Sequence, residues 1–236
     1  LVQIEYSKHS KKWNMPSKYY NIIDPPCEYF MIDTNFDVLN ESTIQKQLHA
    51  IQEMIKQSKQ PWKILCGHHT FRSVGGHGNA DQRFEQFMCD LLRPKECHID
   101  FYMCGHDHCK SIIDTKVNQS PITCLVIGTG GKEYEKIFNL KNMKKAPTKS
   151  ELVFFSPNLG LCLVEASSKE IKLIWSRINK IKKERSFFRR AKYNCKDISI
   201  NNKNHPNSIK KGYYKKFIFF PWNKSNFEIF NHFNLI

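Results

Sequence analysis

Apolar and polar positions follow two rhythms along the first 110 residues. Over residues 42–58 the apolar positions Ile44, Leu48, Ile51 and Ile55 recur every three or four residues, which puts them on one face of a helix. Glu41-Ser42 offers a cap for it and Lys59-Gln60-Pro61 a stop. Residues 82–92 repeat the rhythm with Phe84, Phe87, Met88 and Leu91, and Pro94 ends that segment. Around these lie short apolar runs bounded by turn residues, at 20–23, 28–33, 62–66 and 99–103, which read as strands. Strand, helix and strand in this succession predict βαβ units with parallel strands. Residues 1–20, with aromatics on either side of Pro16, read as a loop packed on the domain rim.

After Cys109 the pattern becomes one of strands and short turns, at 111–114, 122–127, 152–156, 160–165 and 170–176. Gly128-Thr129-Gly130-Gly131 interrupts it, with no helical pattern behind it to make a phosphate cradle. Residues 132–149 read as a lysine-rich loop. From Asn179 onward Lys, Asn, Ile, Phe and Tyr make up about two thirds of the chain, with little periodicity. The expected division is a folded portion over 1–176 and a basic, poorly ordered tail over 177–236.

Charge sharpens that boundary. The whole chain carries a net charge of +15. Residues 177–236 hold 15 Lys and Arg against three acids, so +12 lies in the tail and +3 in the rest. The tail would attract polyanions without sequence preference and in a salt-dependent way, and no nucleic-acid motif accompanies it. Nine cysteines, an odd number without a Cys-x-x-Cys pair, argue against a disulfide scaffold or a zinc knuckle. They read as small buried hydrophobes, with one or two disulfides open to an oxidising compartment. No run of 18 apolar residues predicts a transmembrane helix, and the start at Leu1 shows no signal-segment pattern.

The candidate chemistry sits where two of the strands end. Trp62-Lys63-Ile64-Leu65-Cys66 runs into Gly67-His68-His69, and Ile99-Asp100-Phe101-Tyr102-Met103 runs into Cys104-Gly105-His106-Asp107-His108. Residues i and i+2 of an extended chain face one side, about 6.5–7 Å apart. That suits two imidazoles reaching neighbouring metal ions, which lie about 3.5–4 Å apart in binuclear sites. Gly105 is expected to let the backbone turn sharply toward such a site. If the strands are neighbours, His68, His106 and His108 converge at one sheet edge.

These fragments, with Ile4 to Ser17, Phe30-Met31-Ile32-Asp33-Thr34, Gly76-His77-Gly78 and Val164 to Glu170, resemble the calcineurin-like metallophosphoesterases, in their purple (tartrate-resistant) acid phosphatase branch. They run in family order over residues 1–176. The resemblance implies an α/β fold, the C-terminal part of a four-layer αββα sandwich, incomplete at its N-terminus and followed by the basic irregular tail. It implies phosphomonoester hydrolysis at a binuclear centre of iron with iron, zinc or manganese. By motif position His68 and His106 correspond to ligands of the divalent ion and His108 to a ligand of the ferric ion. His77 corresponds to the substrate-facing histidine that assists the leaving group.

Three of the seven expected ligands are then in hand. The Gly-Asp, Gly-Asp-Asn-x-Tyr and Gly-Asn-His motifs that carry the others have no counterpart in the 236 residues. Asp33, Asp37 and Asp81 stand outside any such motif. Three neutral imidazoles suffice for one zinc-like ion, not for a ferric–divalent pair. The readings open at this point are phosphatase activity in the complete protein, an inactive remnant with at most one metal, and polyanion binding through the tail. The resemblance is compatible with a secreted or extracytoplasmic location, and the sequence itself fixes no compartment. His69 could line the pocket, and Asp107 is expected to face away from the metals with a supporting role.

Overall fold

Asn40 starts the longest helix. Its side-chain oxygen accepts the Thr43 amide at 2.9 Å, so the cap lies one residue before the expected Glu41-Ser42, because a cap needs extended backbone and Glu41 is already helical. In the computed structural model, residues 2–130, 138–178, 188–201 and 209–221 are described, with side chains as far as 176. Helix α2 (Glu41–Gln57) buries Ile44, Leu48, Ile51 and Ile55, the face its periodicity predicts. Helix α3 (Gln82–Leu91) buries Phe84, Phe87, Met88 and Leu91. Asp81 is its cap, accepting the Phe84 amide at 2.8 Å. The two helices meet through Gln52, which donates to the Asp90 carbonyl, and Phe36 from a neighbouring loop stacks on Phe84.

A seven-stranded sheet lies under them. Its members are β1 (Tyr20–Asp24), β2 (Cys27–Met31), β3 (Trp62–Cys66), β4 (Phe101–Cys104), β5 (Lys110–Val117), β6 (Ser120–Ile127) and β7 (Glu151–Ser156), in the order β1-β2-β3-β4-β6-β5-β7. Strands β2, β3 and β4 are parallel neighbours, as the βαβ spacing predicts. Register pairs Met31 with Cys66 and Cys66 with Met103, so the segments after all three strands emerge at one end of the sheet. The predicted strand over 99–103 begins later, at Phe101. Asp100 instead spends its carboxylate on the Lys63 amide, at 2.8 Å.

A second sheet, in the order β11-β10-β9-β8, is built from β8 (Cys162–Ala166), β9 (Glu170–Ile178), β10 (Phe188–Asn201) and β11 (Ile209–Pro221). Alternate residues Ile171, Leu173 and Trp175 of β9 are buried against Trp62, Ile64, Phe101, Ile112 and Leu125 of the first sheet. That dry layer joins the sheets. The described layers are thus helix, sheet, sheet; a second helical layer is not among the described residues.

Strands β10 and β11 fall in the stretch read as an irregular tail, where abundant Lys and Asn mask the extended pattern of the intervening β-forming residues. Their backbones pair along their length, and β10 also pairs with β9. Residues 2–6 form a short helix, α1 (Val2–Tyr6), where a loop is expected. Part of the lysine-rich loop is a turn of helix, α4 (Lys141–Lys145). The cysteines at 27, 66, 89, 97, 104, 109, 124 and 162 are all free thiols. Among the described residues no helix is long and apolar enough to cross a membrane.

Candidate metal and phosphoester site

The site is assembled by its backbone before any side chain is considered. The His68 carbonyl accepts the amides of both Gly105 (3.2 Å) and His106 (2.9 Å), which fastens the turn after β4 to the turn after β3. From the other side Thr34, just beyond β2, takes the His68 and His69 amides on its hydroxyl at 3.2 and 3.1 Å. The same hydroxyl lies 2.8 Å from His69 Nδ1. With two N–H groups already donated to it, its own proton goes to Nδ1, which makes His69 the Nε2–H tautomer. Tyr102, fully buried, donates its hydroxyl to the His69 carbonyl at 2.5 Å.

Close approach is permitted by Gly67. A Cβ there would lie 2.5 Å from Thr34 Cγ2 and 2.7 Å from the Tyr102 hydroxyl. Gly105, expected to be the critical glycine, has open space around it and no left-handed backbone. The turn it occupies is set by the two hydrogen bonds to His68 instead.

Three imidazoles gather around His106. Its Nδ1 lies 3.1 Å from His68 Nε2, and its ring centroid is 3.9 Å from that of His77 and 4.6 Å from that of His69. Burial first, then the neighbouring histidines, pull the His106 pKa from 6.5 down to about 4. Burial, with His69, His108 and His77, lowers that of His68 too. Both rings are therefore neutral, the form that ligates metals. His108 stands apart: it bears on His68 through charge, yet no hydrogen bond or ring contact joins it to the other imidazoles among the described residues.

Two nitrogens bound to one tetrahedral ion at about 2.0–2.1 Å would be separated by about 3.3 Å. The His68–His106 distance is close to that, so this pair fits as two ligands of one ion. A binuclear set does not assemble from the described residues, among which no group of three or more His, Cys, Asp or Glu side chains has metal-holding geometry.

A cleft of about 280 Å³ opens beside the cluster, lined by Thr34, Phe36, Asp37, His69, His77 and His106 among others. A larger one of about 740 Å³, between α3 and the β5–β6 turn, contains none of these histidines. Chemistry, not volume, identifies the candidate site.

No protein-family model matches the chain. It is 30% identical to purple acid phosphatase 4 of Arabidopsis thaliana over 135 residues, which are 57% of this chain and 37% of that protein. Tartrate-resistant acid phosphatase type 5 of Sus scrofa matches at 30% over 127 residues, 45% of this chain and 36% of that protein. Over this part of its length the chain is similar to purple acid phosphatases. It spans little more than a third of the length of these relatives. In fold it is similar to GAP50, the anchor in the inner membrane complex of Plasmodium, with a TM-score of 0.53 at 19% identity over 74% of this chain and 56% of that one.

The structure brings together three of the four residues singled out by sequence, His68, His77 and His106, and leaves His108 at the margin. Sequence reading undervalued Thr34, whose hydroxyl fixes both loop amides and the His69 tautomer. Its only signal was its place at the end of a strand, within the motif fragment Phe30 to Thr34.

A stability prediction follows from His106. The unfolded chain protonates this ring near 6.5, while the folded chain resists until about 4. Between those values the unfolded state binds more protons, so folding stability falls as pH drops through the window and is fully present above it. In chelator-treated protein the urea midpoint is expected to decrease between pH 6.5 and 4. The decrease should be smaller in His106→Gln, and an equal decrease in both would contradict the assignment.

Proposed function

We propose that the chain supplies the histidine-bearing part of a phosphomonoester-hydrolysing centre. The observation that carries this reading is the meeting of His68, His77 and His106 at the ends of neighbouring parallel strands, in a homologue of purple acid phosphatases. His68 and His106 would hold the divalent ion, and His108 would serve the ferric ion of the binuclear iron centre. When bound, such ions supply Lewis-acid activation of the phosphoryl group.

The chain's own residues do the remaining work. Thr34 and the His68 carbonyl keep the two ligand turns in register. His77, on the cleft wall, would protonate the departing alkoxide, a contribution of about 10²–10⁴-fold for a well-placed acid. The cleft admits the alcohol portion of the ester.

A second reading draws on the same geometry. Among the described residues the His68 and His106 nitrogens, 3.1 Å apart, have the spacing of two ligands on one ion, which suits a chain that binds one ion and does not turn over. Hydrolysis of an aryl phosphate by the purified chain, with iron and zinc supplied and metal content measured, separates the two. Metal-dependent turnover supports the phosphatase reading. One ion per molecule with no turnover supports the second.

A further inference from the structure

We infer that Asp107 is the positioning residue of His77, holding its ring in the Nδ1–H tautomer with Nε2 left open to the cleft. Asp107 is fully buried, although it lies between His106 and His108. Its Oδ1 accepts the His77 amide at 3.0 Å and His77 Nδ1 at 2.8 Å. Its Oδ2 accepts the Ser73 hydroxyl, and Ser73 in turn takes the Gly75 amide at 2.9 Å. The backbone of the loop closes directly over the carboxylate: a Cβ on Gly75 would lie 2.3 Å from Asp107 Oδ2.

An ionised carboxylate has no proton to give, so His77 Nδ1 must be the donor. The neutral ring then carries its free lone pair on Nε2, across the ring from Asp107, and it becomes the acid of the proposed reaction only once that nitrogen has taken up a proton from solvent. The His77 side chain is 56% exposed, and an exposed ring ordinarily samples several rotamers. Here one oxygen grips both its amide and its ring, so position and tautomer are fixed together.

A neutral acceptor would serve as well if the link only tied down a loop. Burying a carboxylate costs several kcal/mol unless its partners compensate, and what the carboxylate adds is choice of tautomer and a more basic ring. Sequence alternation suggested only that Asp107 faces away from the metal. In the structure its carboxylate lies buried under the 73–77 loop.

The inference rests on the proposed hydrolytic reading only for what Nε2 then does; the tautomer itself is independent of it. The experiment is a long-range proton–nitrogen correlation spectrum of the full chain with labelled histidine, free of metal, at about pH 8, above the imidazole range. His77→Gln assigns the resonance. The expected result is the Nδ1–H pattern for His77, lost in Asp107→Leu, which removes both acceptor oxygens, and in Gly75→Ala, which displaces the carboxylate, and kept in Ser73→Ala. An Nε2–H pattern in the unmodified chain overturns the inference, as does an unchanged pattern in a folded Asp107→Leu. Should Asp107→Leu not fold, the unmodified chain and Gly75→Ala decide it.

Kinetics adds a second readout. In a chain that hydrolyses aryl phosphate, Asp107→Asn should lower kcat by about 100-fold or more with KM little changed. No hydrolysis by the unmodified chain would sink the phosphatase reading and leave the tautomer result standing. Hydrolysis by a chain whose His77 is Nε2–H would sink this inference alone.

Discussion

His106→Ala is expected to abolish metal-dependent phosphoester hydrolysis while leaving the fold intact. His106 is the hub of the cluster, in contact with His68, His69 and His77. Its Nδ1 and His68 Nε2 lie 3.1 Å apart, the spacing of two ligands on one tetrahedral ion. Loss of a group that merely supports a metal ligand costs about 10–100-fold in affinity or activity, so loss of the ligand should cost more than about 100-fold. Stability should change little, because the side chain is only partly buried and its amide bond to the His68 carbonyl survives the substitution. The measurements are turnover of an aryl phosphate, metal content and thermal midpoint on the same preparation. Turnover retained within about tenfold, below what a ligand should contribute, would remove His106 from the proposed centre.

The second large effect concerns the layer between the sheets. Trp62→Ala should destabilise the chain by about 3–5 kcal/mol, the range for aromatic truncation in a packed core. Trp62 is fully buried at the start of β3, its ring is 6.0 Å from that of Phe101, and its indole N–H donates to the Ser167 carbonyl at 2.6 Å. Truncation removes the contact with the second sheet and the hydrogen bond to Ser167. Against a typical total of about 5–15 kcal/mol this is a large fraction. Trp62→Phe refills most of the space and loses the hydrogen bond, so a smaller cost of about 1–3 kcal/mol is expected. Urea unfolding of the three proteins orders them; equal stability for the alanine and phenylalanine variants would show that packing at this position is not what joins the sheets. Because β3 also delivers His68, the alanine variant should lose metal affinity as well.

The amphipathic helices were readable because each repeats a period of three to four residues over about two to three turns. The strands 62–66, 122–127 and 152–156 were readable because they are short, apolar and bounded by turn residues. Parallel pairing of β2, β3 and β4 followed from the helices that connect them. Strands β10 and β11 were not readable: lysines and asparagines interrupt their apolar pattern, and a strand takes much of its conformation from the strand it joins. Gly105 illustrates the opposite error. A glycine before a histidine suggested a backbone requirement, whereas the neighbours that demand a glycine surround Gly67.

The sequence by itself determined which residue types could ligate a metal, and, through the βαβ connection, that His68 and His106 would leave the sheet at the same end. Only the tertiary structure decided that Thr34 locks one turn, that His69 joins the cluster while His108 stays at its margin, and that Asp107 turns beneath the loop to grip His77. The physical reason is one of range. Periodicity and connection length are properties of neighbouring residues. The distance between two rings, or between a carboxylate and a loop thirty residues earlier, is fixed only when both are packed against a common core.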